Sequence, residues 1–204
     1  MKKTNMTDYC LELREKIPDV ALPQFFKRGI KAVRMDEIAS IMSISKRTLY
    51  EVYDNKEELL IEGLSRSKSR LNEHMATHAS TAGNEMEILI EYLRYQMDNL
   101  HDISPQFFID VKKYPGIRRF LDDEREHRRA MAKEFTTRGI EHGYFIPDLN
   151  YDIFNIISDA MMEYSMQTRL YEKFSMKEIM RTIVVILLRG CCTEKGRRLL
   201  DEVL

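Results

Sequence analysis

"GIKAVRMDEIASIMSISKRTLYEVYDNKEELL", residues 29–60, holds two short amphipathic runs separated by a tight turn and followed by a longer run. Ile38, Ala39 and Met42 share one face of a helix expected from Asp36 to Met42, since residues three and four apart stack on one side of a helix. Ser43-Ile44 turns the chain, and Ser45 is a good N-cap for a second helix reaching about Val52. Asp54-Asn55 breaks that helix. Asn55, with Glu58 three residues on, then starts a long third helix bearing Leu59, Leu60, Leu64, Leu71 and Met75. Two short helices with a tight turn between them make a helix-turn-helix, which presents its second helix to the major groove of DNA.

The residue types on that second helix fit such a partner. Lys46 and Arg47 at its start bring donors within reach of base edges or phosphates, and the free backbone N–H groups there add their own attraction for anions. Thr48 suits a phosphate or a thymine methyl. Tyr50 and Tyr53 carry hydroxyls on rigid arms, one expected on a phosphate and the other half-buried. Lys56, at the start of the next helix, is expected as a third phosphate clamp. Leu49 and Val52 face the core.

This stretch resembles the N-terminal DNA-binding signature of the TetR family of transcriptional regulators, without a gap over about thirty residues. The match is carried by Phe25 and Gly29, by Met35, Ile38 and Ala39, by Ile44-Ser45-Lys46 and Thr48-Leu49-Tyr50, and by Tyr53, Lys56, Leu59 and Leu60. The resemblance implies that Ser45, Lys46, Arg47, Thr48, Tyr50 and Lys56 take the DNA-contacting places. Three positions depart from the family pattern. Arg34 stands where a Thr or Ser is usual and is expected to exchange a hydroxyl cap for a phosphate contact. Ser43 stands where the turn usually has Gly. Glu51 replaces a His or aromatic residue, and repels phosphates unless it accepts from a cytosine amino group.

The remaining chain of 204 residues reads as helix almost end to end. Its composition is 44% hydrophobic and 32% charged with few Pro and Gly, which favours helix and permits a sizeable core. An opening helix spans about Asp8 to Arg28, made atypical by Pro18 and Pro23 and closed by Gly29. Further stripes run from Met86 to Leu100, from Pro105, from Ile117 to near Gly143, from Asp152 to Leu170 and from Met176 to Arg189, the last opened by a Ser175/Glu178 capping box. Both final helices are apolar over more than one face, which points to a partner surface. The expectation is an all-α chain: a three-helix helix-turn-helix domain over residues 1–56, then a larger helical ligand-binding and dimerisation domain over residues 57–204.

A formal net charge of −1 gives no global field for nucleic acid or membrane, so a DNA partner must be met by a local patch. Three cysteines, Cys10, Cys191 and Cys192, do not suggest a disulfide framework, and a reducing cytoplasm is expected. The first residues read as neither signal peptide nor anchor, and the longest apolar run, Ile183 to Leu188, is too short to span a bilayer. His74 and His78 lie one helical turn apart without further metal-ligand spacing, so no metal or cofactor is expected. "LDDEREHRRAMAKE", residues 121–134, reads as a solvated charged face, and no nucleophile, base and orienter converge to make an enzyme.

For the C-terminal part the resemblance is looser, through Phe108 to Pro115 and "GIEHGYFIPD" from Gly139. It implies double-stranded operator DNA as partner, an unidentified small effector and a homodimer formed by the last two helices. Met97, Phe107, Phe108, Met131, Phe135 and Met161 are the candidate effector contacts, because their helices enclose the pocket in similar proteins and Met adapts to irregular ligands. The function expected is a repressor released by a small hydrophobic ligand. The alternative is a helical sensor or interaction module that has lost DNA binding, suggested by Glu51 and the two prolines.

Overall fold

A computed structural model describes residues 8–100 and 103–202. Its helices are α1 (Asp8–Arg28), α2 (Met35–Ile41), α3 (Lys46–Val52), α4 (Lys56–Ala79), α5 (Glu85–Leu100), α6 (Pro105–Val111), α7 (Pro115–Glu141), α8 (Tyr151–Gln167), α9 (Met176–Cys191) and α10 (Glu194–Asp201), with a 3-10 turn at Leu170–Glu172. The all-α expectation holds, and among the described residues the extended pairing is an isolated bridge between Phe145 and Cys192. The reading of the first seven residues lies outside the described ones.

The chain folds as two compact units and passes between them after Arg70 within α4, between α5 and α6, and after Leu121 within α7. The first holds α1 to α3, the start of α4, α6 and the start of α7. The second holds the rest of α4, α5, the rest of α7 and α8 to α10. This compact first unit thus reaches past the three helices expected to meet DNA and takes in α6.

In the first unit, α1 buries Leu13, Ile17, Ala21 and Phe25, a spacing of four that lines one helical face. Against it lie Ile38 and Ala39 of α2, Leu49 and Val52 of α3, and Leu59 and Leu60 of α4. Phe107 of α6 and Ile117 of α7 complete the cluster.

Helix α1 runs unbroken through both prolines. A residue at position 18 would ordinarily give its N–H to the Arg14 carbonyl, and Pro18 has none to give. The Tyr53 hydroxyl donates to that carbonyl instead, at 2.9 Å. Tyr53 is therefore wholly buried rather than half-buried, its ring also facing the Arg14 guanidinium 5.2 Å away. Pro23 lies on the solvent side of the helix, where water can take over the missing bond.

The turn between α2 and α3 is a Schellman closure. Ser43 N–H donates to the Ser40 carbonyl at 3.1 Å and Ile44 N–H to the Ala39 carbonyl at 3.0 Å. Ser43 takes the left-handed position with φ of 56°, so a residue with a Cβ stands where glycine is cheapest.

In the second unit Met86, Tyr144, Phe145, Cys191, Cys192 and Leu200 form the buried cluster. A Cβ on Gly139 would lie 2.2 Å from the Phe145 ring, so the "GIEHGYFIPD" turn needs glycine there. The helix expected from Asp152 to Leu170 ends at Gln167, and the one expected to end at Arg189 reaches Cys191. α10 is an additional helix, capped by Thr193, whose hydroxyl accepts from Gly196 N–H.

Candidate nucleic-acid interface

Helix α3 carries the site. Ser45 caps it, its hydroxyl oxygen accepting from Thr48 N–H at 3.0 Å and lying 2.8 Å from the Thr48 hydroxyl. The buried faces of Leu49 and Val52 fix its roll, which leaves Ser45, Lys46, Arg47 and Tyr50 exposed and Thr48 half-exposed. Six expected positions on or beside the turn thus share one unit, Arg34 included.

Each reading-helix cation already has a carboxylate. Lys46 lies 2.9 Å from Asp36, which holds its ammonium above the ordinary lysine range, and its charge sits 6.0 Å from the Tyr50 ring. Arg47, with its side chain 89% exposed, bonds Glu51 at 3.0 Å. Glu51 therefore faces solvent partnered by an arginine one turn away rather than as an isolated negative charge. Exposed pairs of this kind contribute little to stability, so phosphates can displace the carboxylates at low cost.

Arg34 is the N-cap of α2, and an arginine has no acceptor to offer the helix. Glu37 supplies it by reaching back to Arg34 N–H at 3.5 Å while also taking Arg28 at 2.8 Å. The Arg28 guanidinium holds the Glu37 carboxyl below the usual carboxylate range. The Arg34 side chain is exposed.

Lys56, expected on a phosphate, sits differently. Its ammonium donates to the carbonyls of Ile30 and Val33, both at 2.7 Å. Burial pushes its pKa down against the pull of Asp110 and Glu37. It grips the α1–α2 loop from behind rather than standing clear beside α3.

The same loop is held from α6 by a residue that no motif signalled. Asp110 is fully buried and accepts from Lys31 N–H at 2.8 Å and from Gln106 at 2.9 Å, with Lys113 at 3.3 Å. Burial alone would raise its carboxyl, but these three donors outweigh it and hold the pKa below the ordinary value. Gly29, at φ of 81°, lies so close that a Cβ would meet Gln106 at 2.6 Å. Beside Lys56, Glu57 accepts from the N–H groups of Gly116 and Ile117 at 2.6 and 3.1 Å, capping α7.

The six expected effector contacts are not brought together within either unit. Phe107 is core of the first unit, edge-on to Phe26 at 5.0 Å, and Phe108 packs on that same cluster. Met131 is 63% exposed, and Phe135 packs against Phe145. Met161 is half-buried on α8, and Met97 lines a cleft on α5. His74 bonds Glu91 at 2.7 Å.

Residues 17–62 match the model of the bacterial regulatory proteins of the tetR family. That segment, α1 to the start of α4, is thus a helix-turn-helix of the tetR type. The chain is 26% identical over 153 residues to the HTH-type transcriptional repressor KstR2 of Mycobacterium tuberculosis, covering 72% of this chain and 76% of the relative. The solved ketosteroid transcriptional regulator KstR2 from that organism has the same fold, with a TM-score of 0.58 at 22% identity over 89% of this chain and 95% of the other. A transcriptional regulator from Saccharomonospora viridis, solved with choline, has a TM-score of 0.72 at 19% identity over 90% and 100% of the two chains. A helix-turn-helix of this type implies operator DNA as partner and a dimer. The chain's relatives are regulators rather than enzymes. No helix among the described residues is long and apolar enough to cross a membrane.

Proposed function

We propose that the regulator is a cytoplasmic repressor that occludes its operator as a homodimer and is released by a small, largely apolar effector. The observation that carries the DNA reading is α3 itself, a capped helix with Lys46 and Arg47 exposed at its N-terminus and its opposite face sunk in the core. Ser45, Lys46, Arg47, Thr48 and Tyr50 would meet DNA directly with Arg34 on a flanking phosphate, residues 1–56 reading DNA and residues 57–204 sensing and dimerising. Lys56 would act by holding the α1–α2 loop.

Support for dimerisation lies on α8 and α9. Ile153, Ile156, Ile157 and Tyr164 form an exposed stripe at helical spacing on α8, and Ile186 is exposed on α9. A second copy would remove these side chains from water, and two copies would set their reading helices in successive major grooves. The name of the ketosteroid regulator KstR2 supports an apolar effector. Such a molecule would act through its differential affinity for DNA-competent and DNA-incompetent states.

The test is binding to DNA recovered with the protein from genomic fragments. Lys46→Ala and Arg47→Ala should each weaken binding by about 1–3 kcal/mol, roughly 5- to 150-fold, without lowering the melting temperature. Each lost phosphate contact should also reduce the slope of log affinity against log salt by about 0.9. Unchanged affinity and slope in both variants would refute the assignment. Absence of salt-dependent binding in the wild type would favour a module that has lost DNA binding.

A further inference from the structure

A cleft of about 310 Å3 opens in the second unit between α5, the start of α9 and α10. Its apolar side consists of Ile90, Leu93 and Met97, spaced three and four apart along α5, with Leu200 of α10 behind them. Three cations border it: Arg94 from α5, and Lys177 and Arg181 four apart on one face of α9. Asp98 is the one carboxylate in the lining. In a chain whose formal net charge is −1, three cations against one anion around an apolar floor is a local excess of positive charge. Lys177 also lies in the first turn of α9, where the helix dipole favours a negative group.

The other side of Arg94 has the opposite character. A second cleft of about 280 Å3 shares Ile90 and Arg94 but is bordered by Glu87, Glu91 and Glu202. Arg94 bonds Glu91 at 2.8 Å. An anion would be repelled from that side and drawn toward α9, so the two clefts together set which way an amphipathic ion would lie.

We propose that the cleft between α5, α9 and α10 binds the effector through a carboxylate, so that the effector is an amphipathic acid with its head between Lys177 and Arg181 and its tail along Ile90, Leu93 and Met97. This rests on the effector reading above and narrows it by chemical class. Guanidinium groups suit carboxylates because their N–H groups match the two oxygens. The volume lies at the low end for small-molecule sites and suits an acid of about ten carbons.

The experiment uses the full chain with decanoate and decan-1-ol, equal in length and differing in charge. By calorimetry below micellar concentrations, decanoate should bind the wild type at least ten-fold more tightly than decan-1-ol. The double substitution Lys177→Gln with Arg181→Gln, both exposed, should erase that preference while leaving melting temperature and DNA binding intact. Met97→Trp, which fills the floor, should weaken decanoate in the otherwise wild-type chain. No decanoate binding, equal affinity for acid and alcohol, or binding unchanged by the double substitution would overturn the site. A separate arm measures DNA release. Release by decan-1-ol independent of Lys177 and Arg181 overturns the acid site and leaves the effector reading standing. DNA still held by decanoate-saturated protein overturns the effector reading and with it the cleft's regulatory role.

Discussion

Tyr53→Phe removes one oxygen and tests how α1 tolerates Pro18. The hydroxyl donates to the Arg14 carbonyl at 2.9 Å, and that carbonyl has no helical donor because residue 18 is proline. A neutral bond of this kind contributes about 0.5–1.5 kcal/mol net, and a buried carbonyl left without a donor costs about 1–3 kcal/mol. The expected loss is therefore about 1–3 kcal/mol, read as a lower urea midpoint at unchanged slope. The partner measurement repeats the substitution in a Pro18→Ala background, where the residue-18 amide can reach the Arg14 carbonyl. There Tyr53→Phe should cost at least about 1 kcal/mol less, a coupling well above the additivity error for separate sites. The same cost in both backgrounds would refute the compensation. An alkaline corollary follows from burial, which raises the Tyr53 phenol above its ordinary value of 10.0. The unfolded chain releases that proton near pH 10 while the folded chain keeps it, so stability falls as pH climbs beyond about 10. That fall should be shallower in the Phe variant.

Ser43→Gly should stabilise the chain by up to about 1 kcal/mol, because it relieves a side chain held at φ of 56°; a lower urea midpoint would contradict the strain. Lys56→Met keeps the aliphatic stem but frees two carbonyls held at 2.7 Å, so a loss of about 1.5–3 kcal/mol is expected. The salt slope of DNA binding should not change, and a drop of about 0.9 would instead place Lys56 on a phosphate. For Asp110→Asn the sign follows from a folded pKa held below the ordinary 3.8. Stability from the carboxylate is present above about pH 4 and lost as pH falls through the folded value, so the deficit of the Asn variant should shrink from pH 7 to pH 3. An equal deficit at both pH values would contradict it.

The first unit was readable because its signals are local. Ser45 before Lys46, Asn55 before Glu58 and the burial face of Ile38 and Ala39 depend on residues within one or two turns. The Asn55/Glu58 start appears with one change: Asn55 accepts from Glu58 N–H, but the Glu58 carboxylate caps Asp54. α10 was missed because "EKGRRLLD" has two apolar residues and an internal glycine, which gives no stripe. That glycine is demanded by the Tyr144 carbonyl, 2.4 Å from where a Cβ would stand. Asp110 is not legible for a different reason: the donor that gives it a role, the Lys31 N–H, is far away in sequence, and a lone acid in "FFIDVKKYPG" has no pattern. Lys56 shows the limit of reading charge alone, since sequence does not tell whether an ammonium faces a phosphate or a backbone carbonyl. Phe107 is expected among the effector contacts because its helix encloses the pocket in similar proteins, whereas here that helix turns it into the core beside Phe26.

The grip of Asp110 on Lys31 also sets a schedule for synthesis. The two residues are 79 apart, so at roughly 5–20 residues per second the ribosome needs about 4–16 seconds to make the second after the first. From Val52 onward in that interval the nascent chain carries every residue of the turn and reading helix, but not the carboxylate that fixes the loop before α2. Nor has it made Phe107 or Ile117, which close the same core. A nascent chain stalled before α6 has left the exit tunnel should therefore be an easy chaperone or protease target, although its reading helix is complete in sequence.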